Sequence, residues 1–126
     1  MPNEITYSLN VLLKNGSLQD QFASGSKTAS QASAKLIRNV QTIGTAAGGE
    51  ALDLGDIAVP GFMIFQNLDD KNYVDIGINT GGNFYAALRV KAGEIMMARY
   101  SAGAASLPYA LANTASVELF YICYED

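Results

Sequence analysis

Gln66-Asn67-Leu68-Asp69-Asp70-Lys71-Asn72 places two carboxylates beside side-chain amides, an oxygen cluster of the kind that holds calcium. Calcium takes six to eight oxygens from alternating loop positions and a closing carboxylate. Asn67, Asp69 and Asp70 supply three candidate ligands, but the Asp-x-Asp-x-Asp-Gly frame is absent and no glutamate closes the loop. A strand-to-strand hairpin turn uses the same residue types, because Asn and Asp bond their own backbone and accept left-handed geometry. The stretch reads as a turn, and no metal site is expected.

Nucleophilic chemistry fares no better. The chain has no histidine, which removes the commonest general base, the usual activator of Ser or Cys and the commonest nitrogen ligand. Cys123 stands in Leu119-Phe120-Tyr121-Ile122-Cys123-Tyr124 and reads as a small buried hydrophobe, with nothing nearby to lower its pKa. Asp53, Asp56, Asp69, Asp70, Asp75 and Glu94 could form a glycosidase pair, yet twelve acids in a β protein produce close pairs anyway, and no tryptophan is present to stack a sugar. The glycines of Gly44-Thr45-Ala46-Ala47-Gly48-Gly49 and of Thr80-Gly81-Gly82-Asn83 precede no Gly-Lys-Ser/Thr and read as turns, not phosphate loops. The expectation is a chain that is not an enzyme, with no catalytic residue and no cofactor.

Composition points the same way. Of 126 residues, 49% are hydrophobic and only 16% charged, against about 25% charged in ordinary domains. That shortage suggests surface hidden by a partner. A net charge of −4 with scattered Lys and Arg argues against nucleic acid and against anionic membranes as partners. A lone cysteine allows no intrachain disulfide, Met1-Pro2-Asn3-Glu4 has neither the basic nor the apolar part of a signal peptide, and no apolar run reaches membrane-helix length. Synthesis in a reducing cytosol is expected.

Strand signals must therefore position whatever function there is. Ile5, Tyr7, Leu9, Val11 and Leu13 alternate with polar residues, predicting a half-buried strand that ends at the turn dipeptide Asn15-Gly16. Ser17 to Ser33 is rich in Ser, Ala and Gln and reads as a loop or a mobile arm, with Phe22 its one aromatic. A short helix from Thr28 through Arg38 is conceivable; β-branched residues favour a strand over Ala34 to Ile43 instead. Further strands are expected around Ala51 to Leu54, Phe62 to Phe65, Tyr73 to Ile78, Phe84 to Val90, Ile95 to Tyr100 and Ser116 to Tyr124, with a loop from Ser101 to Thr114. The last strand is apolar on both faces and should be central. About eight short strands with regular turn signals predict a single all-β domain over 1–126, an antiparallel sandwich or small barrel.

Residues 38–126 also resemble a set of short tailed-bacteriophage virion proteins. The matching features are Gly61 leading an apolar strand, Asn67-Leu68-Asp69, Tyr73-Val74, the hairpin Lys91-Ala92-Gly93-Glu94, and Ala112-Asn113-Thr114 before the final strand. Leu88-Arg89-Val90-Lys91 departs slightly from the family's Leu-Lys pattern. The resemblance implies a jelly-roll sandwich located in the virion, on the capsid surface. It implies a head decoration (cement) protein, a homotrimer that clamps the major capsid protein. The alternative is a tail or fibre module that binds host-surface glycan. In either setting Phe22 is the candidate partner contact: it tucks onto its own sandwich, or it anchors an arm on a neighbouring subunit.

Overall fold

A computed structural model describes residues 4–126 apart from 102 and 105, so the first three residues of the expected non-signal start, and two of the expected 101–114 loop, lie outside the described residues. The chain falls into two compact units, 1–32 and 33–126. The described residues form twelve strands and no helix.

The first unit is one long hairpin. β1 (Ile5–Tyr7), β2 (Asn10–Asn15), β3 (Leu18–Ala23) and β4 (Lys27–Ala29) follow in order, and the pairs nest: Asn15 faces Leu18, Asn10 faces Ala23, and Tyr7 faces Lys27. Gly16 opens the two-residue loop with φ +59°, a conformation that costs an L side chain and that primed hairpin turns require. Farther down, Ser8 and Leu9 face three residues, Ser24, Gly25 and Ser26. Gly25 takes φ +67° there, and the Ser24 hydroxyl accepts from the Leu9 amide at 2.8 Å, standing in for a ladder carbonyl.

Of the stretch 17–33, read as a loop or a mobile arm, Leu18–Ala23 and Lys27–Ala29 are strands, and in place of the helix conceivable from Thr28 the favoured strand forms, at Leu36–Ile43. Leu18, Asp20 and Phe22 alternate with Gln19, Gln21 and Ala23 in a regular strand. The strand is polar enough to look like a loop because both of its faces are exposed. Its backbone is satisfied by β2, a partner that composition does not disclose. Ala29 pairs with Ile5, so the helical spacing of Ala29, Ala32 and Leu36 has no structural expression. The sandwich expected over 1–126 occupies 33–126, and the first 32 residues form a unit of their own.

The second unit contains β5 (Leu36–Ile43), β6 (Glu50–Ala51), β7 (Pro60–Asn67), β8 (Val74–Thr80), β9 (Asn83–Val90), β10 (Ile95–Arg99), β11 (Tyr109–Ala112) and β12 (Val117–Glu125). They build two four-stranded antiparallel sheets, ordered β10-β7-β12-β5 and β6-β11-β8-β9. Two separate sheets make an all-β sandwich, not a barrel. Ile43, Met63, Phe65, Leu119 and Tyr121 from the first sheet meet Val74, Ile76, Val90, Ala110 and Ala112 from the second, and Leu52, Leu54 and Ile57 fill in from the β6–β7 connection. β12 lies between β7 and β5, the central place its two apolar faces predict. β11 falls inside the expected 101–114 loop. Four residues without a β-branched side chain carry little strand signal, and pairing with both β8 and β6 makes the strand.

Candidate functional site

The calcium-like stretch links β7 to β8, and these strands belong to different sheets. It is therefore a passage across the sandwich, not the hairpin turn expected. Asn67 is 1% exposed. Its Nδ2 donates to the carbonyls of Asn72 at 2.9 Å and Val90 at 3.0 Å, while its Oδ1 accepts from the Asp69 amide at 2.8 Å. Asp69 Oδ2 accepts from the amides of Asn72 (2.6 Å) and Lys71 (2.9 Å). Those two backbone donors, Asn72 first, hold the Asp69 carboxyl below the usual carboxylate range. Thr114 Oγ1 donates to Asn72 Oδ1 at 2.9 Å and ties the corner to the β11–β12 connection. The three oxygens proposed for a cation are thus divided: Asn67 faces inward, Asp69 serves its own backbone, and Asp70 is exposed. Among the described residues, no group of three or more His, Cys, Asp or Glu comes together in a way that could hold a metal ion.

The other titratable candidates are likewise engaged structurally. Arg89 Nε and Nη2 donate to the two Asp75 oxygens at 2.8 and 3.2 Å, a bidentate pair across β8 and β9, and the guanidinium stacks 3.7 Å from the Tyr73 ring centroid. Asp53 accepts from the Gly55 amide, Glu94 from the Lys91 amide, and Asp56 lies 3.8 Å from Lys35. Cys123 is fully buried, and burial pushes its thiol pKa up, the opposite of nucleophile activation. Both glycine-rich stretches are turns with left-handed glycines: Gly49 at φ +74°, Gly81 at +63° and Gly82 at +85°.

What the chain does display is apolar surface. In the hairpin, the register Val11 to Phe22, Leu13 to Asp20 and Asn15 to Leu18 puts Val11, Leu13, Leu18 and Phe22 on one face, because cross-strand partners point to the same side. These four are 56, 40, 59 and 54% exposed. The half-burial expected of Val11 and Leu13 is absent. Phe22, chosen from the sequence as the aromatic of a polar stretch, is one member of a row. The signal for the rest was the alternation of residues 9 to 13 read across the Asn15-Gly16 turn.

The sandwich has a second apolar surface. In the sheet β10-β7-β12-β5, residues alternating with the core side chains face outward: Leu36 and Val40 on β5, Phe120 on β12, Ile64 on β7, and Ile95 on β10. Ile95, Leu36 and Val40 are among the exposed large hydrophobics. Charge on this face is sparse and stacks on rings: Arg38 lies 5.9 Å from the Phe120 centroid and Arg99 5.6 Å from Phe62. Contiguous apolar surface of this kind marks interaction sites in folded domains. The arrangement suits docking of a protein surface. No family model, curated protein or solved structure matches the chain.

Proposed function

We propose that this chain is a non-enzymatic structural protein of a tailed-phage particle, a decoration protein that binds the outside of the capsid as a homotrimer and stabilises the head. The observation that carries the reading is the outward face of the β10-β7-β12-β5 sheet, apolar across four strands. A lattice-binding protein needs such a face and needs no chemistry, and many weak copies hold through avidity.

Strand order supports a jelly roll. The eight strands of 33–126 occupy the sheets as β5-β12-β7-β10 and β6-β11-β8-β9, so the chain changes sheet at every connection except one, the β8–β9 hairpin. Double-sheet jelly rolls of eight strands recur in viral capsid proteins. The resemblance of residues 38–126 to phage virion proteins points to the same setting.

The test is cosedimentation of the purified protein with undecorated phage heads, with Ile95→Asp and Val40→Asp as variants on the outward face. Binding by the wild type and loss of binding by the folded variants is the expected result. A wild type that ignores heads but binds host-surface glycan refutes the decoration reading in favour of a tail or fibre module.

A further inference from the structure

We propose that β2 of one copy pairs edge to edge with β2 of a second copy about a twofold axis through Leu12, joining two hairpins into one four-stranded sheet, β3-β2-β2-β3. This goes beyond the decoration reading and does not depend on it. Among the described residues β3 is the only strand paired with β2, so the other edge of β2 is open, and every residue of Asn10–Asn15 is exposed. That edge runs through Val11-Leu12-Leu13, which is apolar on both faces of the ribbon. An exposed, uncharged edge strand with unpaired N–H and C=O groups is a template for another chain. A two-stranded ribbon is marginal in water, whereas three or more strands with an apolar face hold on their own.

Register decides which residues meet. The two-residue loop makes Asn15 and Leu18 a hydrogen-bonded pair, and bonded pairs alternate with non-bonded ones along an antiparallel ladder. Leu13, Val11 and Leu9 therefore bond inward to β3, in agreement with the bond from the Ser24 amide to Leu9 O at 2.9 Å. The N–H and C=O groups of Asn10, Leu12 and Lys14 consequently point away from β3, along the open edge. Paired residues carry their side chains on the same side of a sheet, so a twofold axis relating two β2 strands passes through a residue. Centred on Leu12, it sets Leu12 against Leu12 and Asn10 against Lys14, and it engages every outward group of both strands. Val11 of each copy then packs beside Leu13 of the other. Centred on Val11 or on Leu13, the axis leaves Lys14 or Asn10 without a strand residue opposite.

Charge closes the other edge. The outward residues of β3 are Gln19, Gln21 and Ala23, and the matching axis through Gln21 would set Asp20 against Phe22 of the second copy. A carboxylate on the apolar face of an edge strand is a device that blocks pairing. β2 is uncharged from Asn10 to Leu13, and its Lys14 meets a neutral Asn10. Pairing of like edges is isologous and uses both up, so no edge of β2 is left to add a third copy. In a homotrimer the contact joins one trimer to its neighbour. The joined sheet gathers Val11, Leu13, Leu18 and Phe22 of both copies on one face.

The experiment is disulfide trapping on the full chain, with oxidised glutathione as the oxidant. Leu12→Cys should give a covalent dimer, because residues facing each other in a bonded antiparallel pair stand about 5.5 Å apart at Cα, within reach of a disulfide. Leu12 is 63% exposed, so the substitution leaves the core alone, and the native Cys123 is buried and should give no dimer in the wild type. Gln21→Cys, across the ladder from Leu12 on the same face, should also give none. Sedimentation velocity is the second readout. Leu12→Pro removes an N–H that points away from β3, the one kind of strand position that tolerates proline, so it should keep the hairpin and lower the sedimentation coefficient of the wild type. No dimer with Leu12→Cys, a dimer with Gln21→Cys, a disulfide that forms only when the two variants are mixed, or a sedimentation coefficient that Leu12→Pro leaves unchanged overturns the proposal. Cosedimentation with heads is read separately: a protein that ignores heads and still traps at Leu12→Cys supports this contact while sinking the decoration reading.

Discussion

Asn67→Ala separates a structural corner from a binding site. The side chain of Asn67 is 1% exposed and spends all of its polar capacity on backbone: Asn72 O, Val90 O and the Asp69 amide, at 2.9, 3.0 and 2.8 Å. Its main chain adds bonds to Glu94 O and from the Gly93 amide, so one residue joins the end of β7, the crossing to β8, the end of β9 and the β9–β10 turn. Truncation leaves Asn72 O and the Asp69 amide where solvent reaches them, and each lost bond costs about 1 kcal/mol. Val90 is 1% exposed, so its orphaned carbonyl costs about 2 kcal/mol. The expected loss is about 4 kcal/mol, read as a shift of the urea midpoint of the sandwich transition followed by tyrosine fluorescence at unchanged slope. Asn67→Asp, which turns a carboxylate toward two carbonyl oxygens, should be at least as damaging. Calcium and chelator should leave the wild-type midpoint where it is. A loss below about 1 kcal/mol, or a calcium-dependent midpoint, refutes the argument that this amide is a structural tie.

Three further outcomes are expected. Cys123, fully buried with its pKa pushed up by burial, should resist a thiol reagent in the native state and react only on unfolding, and Cys123→Ala should cost about 1 kcal/mol. Gly77→Ala should block folding of the sandwich, since a Cβ there would sit 1.9 Å from Tyr85 O across the β8–β9 bulge, whereas Gly81→Ala, with φ +63° and open space, should cost only about 1 kcal/mol in thermal melts. The Glu125 carboxyl is held below its usual range by the Ser33 side chain and the Ala58 amide, so its contribution is present above the usual carboxylate range and is lost as pH falls through the lowered value; Glu125→Gln should flatten the acid limb of a stability-against-pH curve.

Much of the sandwich was legible in the sequence because period-two alternation and glycine punctuation are local signals. The hairpin Val74–Thr80 to Asn83–Val90 needs only Gly81-Gly82 between two alternating runs. The elements that were missed depend on partners instead. β3 is a strand because β2 supplies its hydrogen bonds, and β11 because β8 and β6 flank it. The 67–72 stretch illustrates the same limit at a candidate site: Asn and Asp announce a reversal, but whether the chain returns beside its own strand or crosses to the other sheet is decided by pairing far away in sequence. Phe22 was visible as a lone aromatic, while Val11, Leu13 and Leu18 became its companions only through register.

β12 is apolar on both faces: Leu119, Tyr121 and Cys123 point into the core, and Phe120, Ile122 and Tyr124 point out of it. In a parallel sheet covered by helices, such a strand is explained by two layers above and below. A two-layer sandwich has a single core, so the inner face accounts for only one of the two rows. The outer row is shielded in part by neighbouring strands, which leave Ile122 6% exposed, but the strands at the sides of that sheet present Ile95, Leu36 and Val40 to solvent. A central strand with two apolar faces in a two-layer fold thus has an outer row that its own core does not explain, and the proposed docking of that face on a capsid protein would account for it and for the shortage of charged residues across the whole sequence.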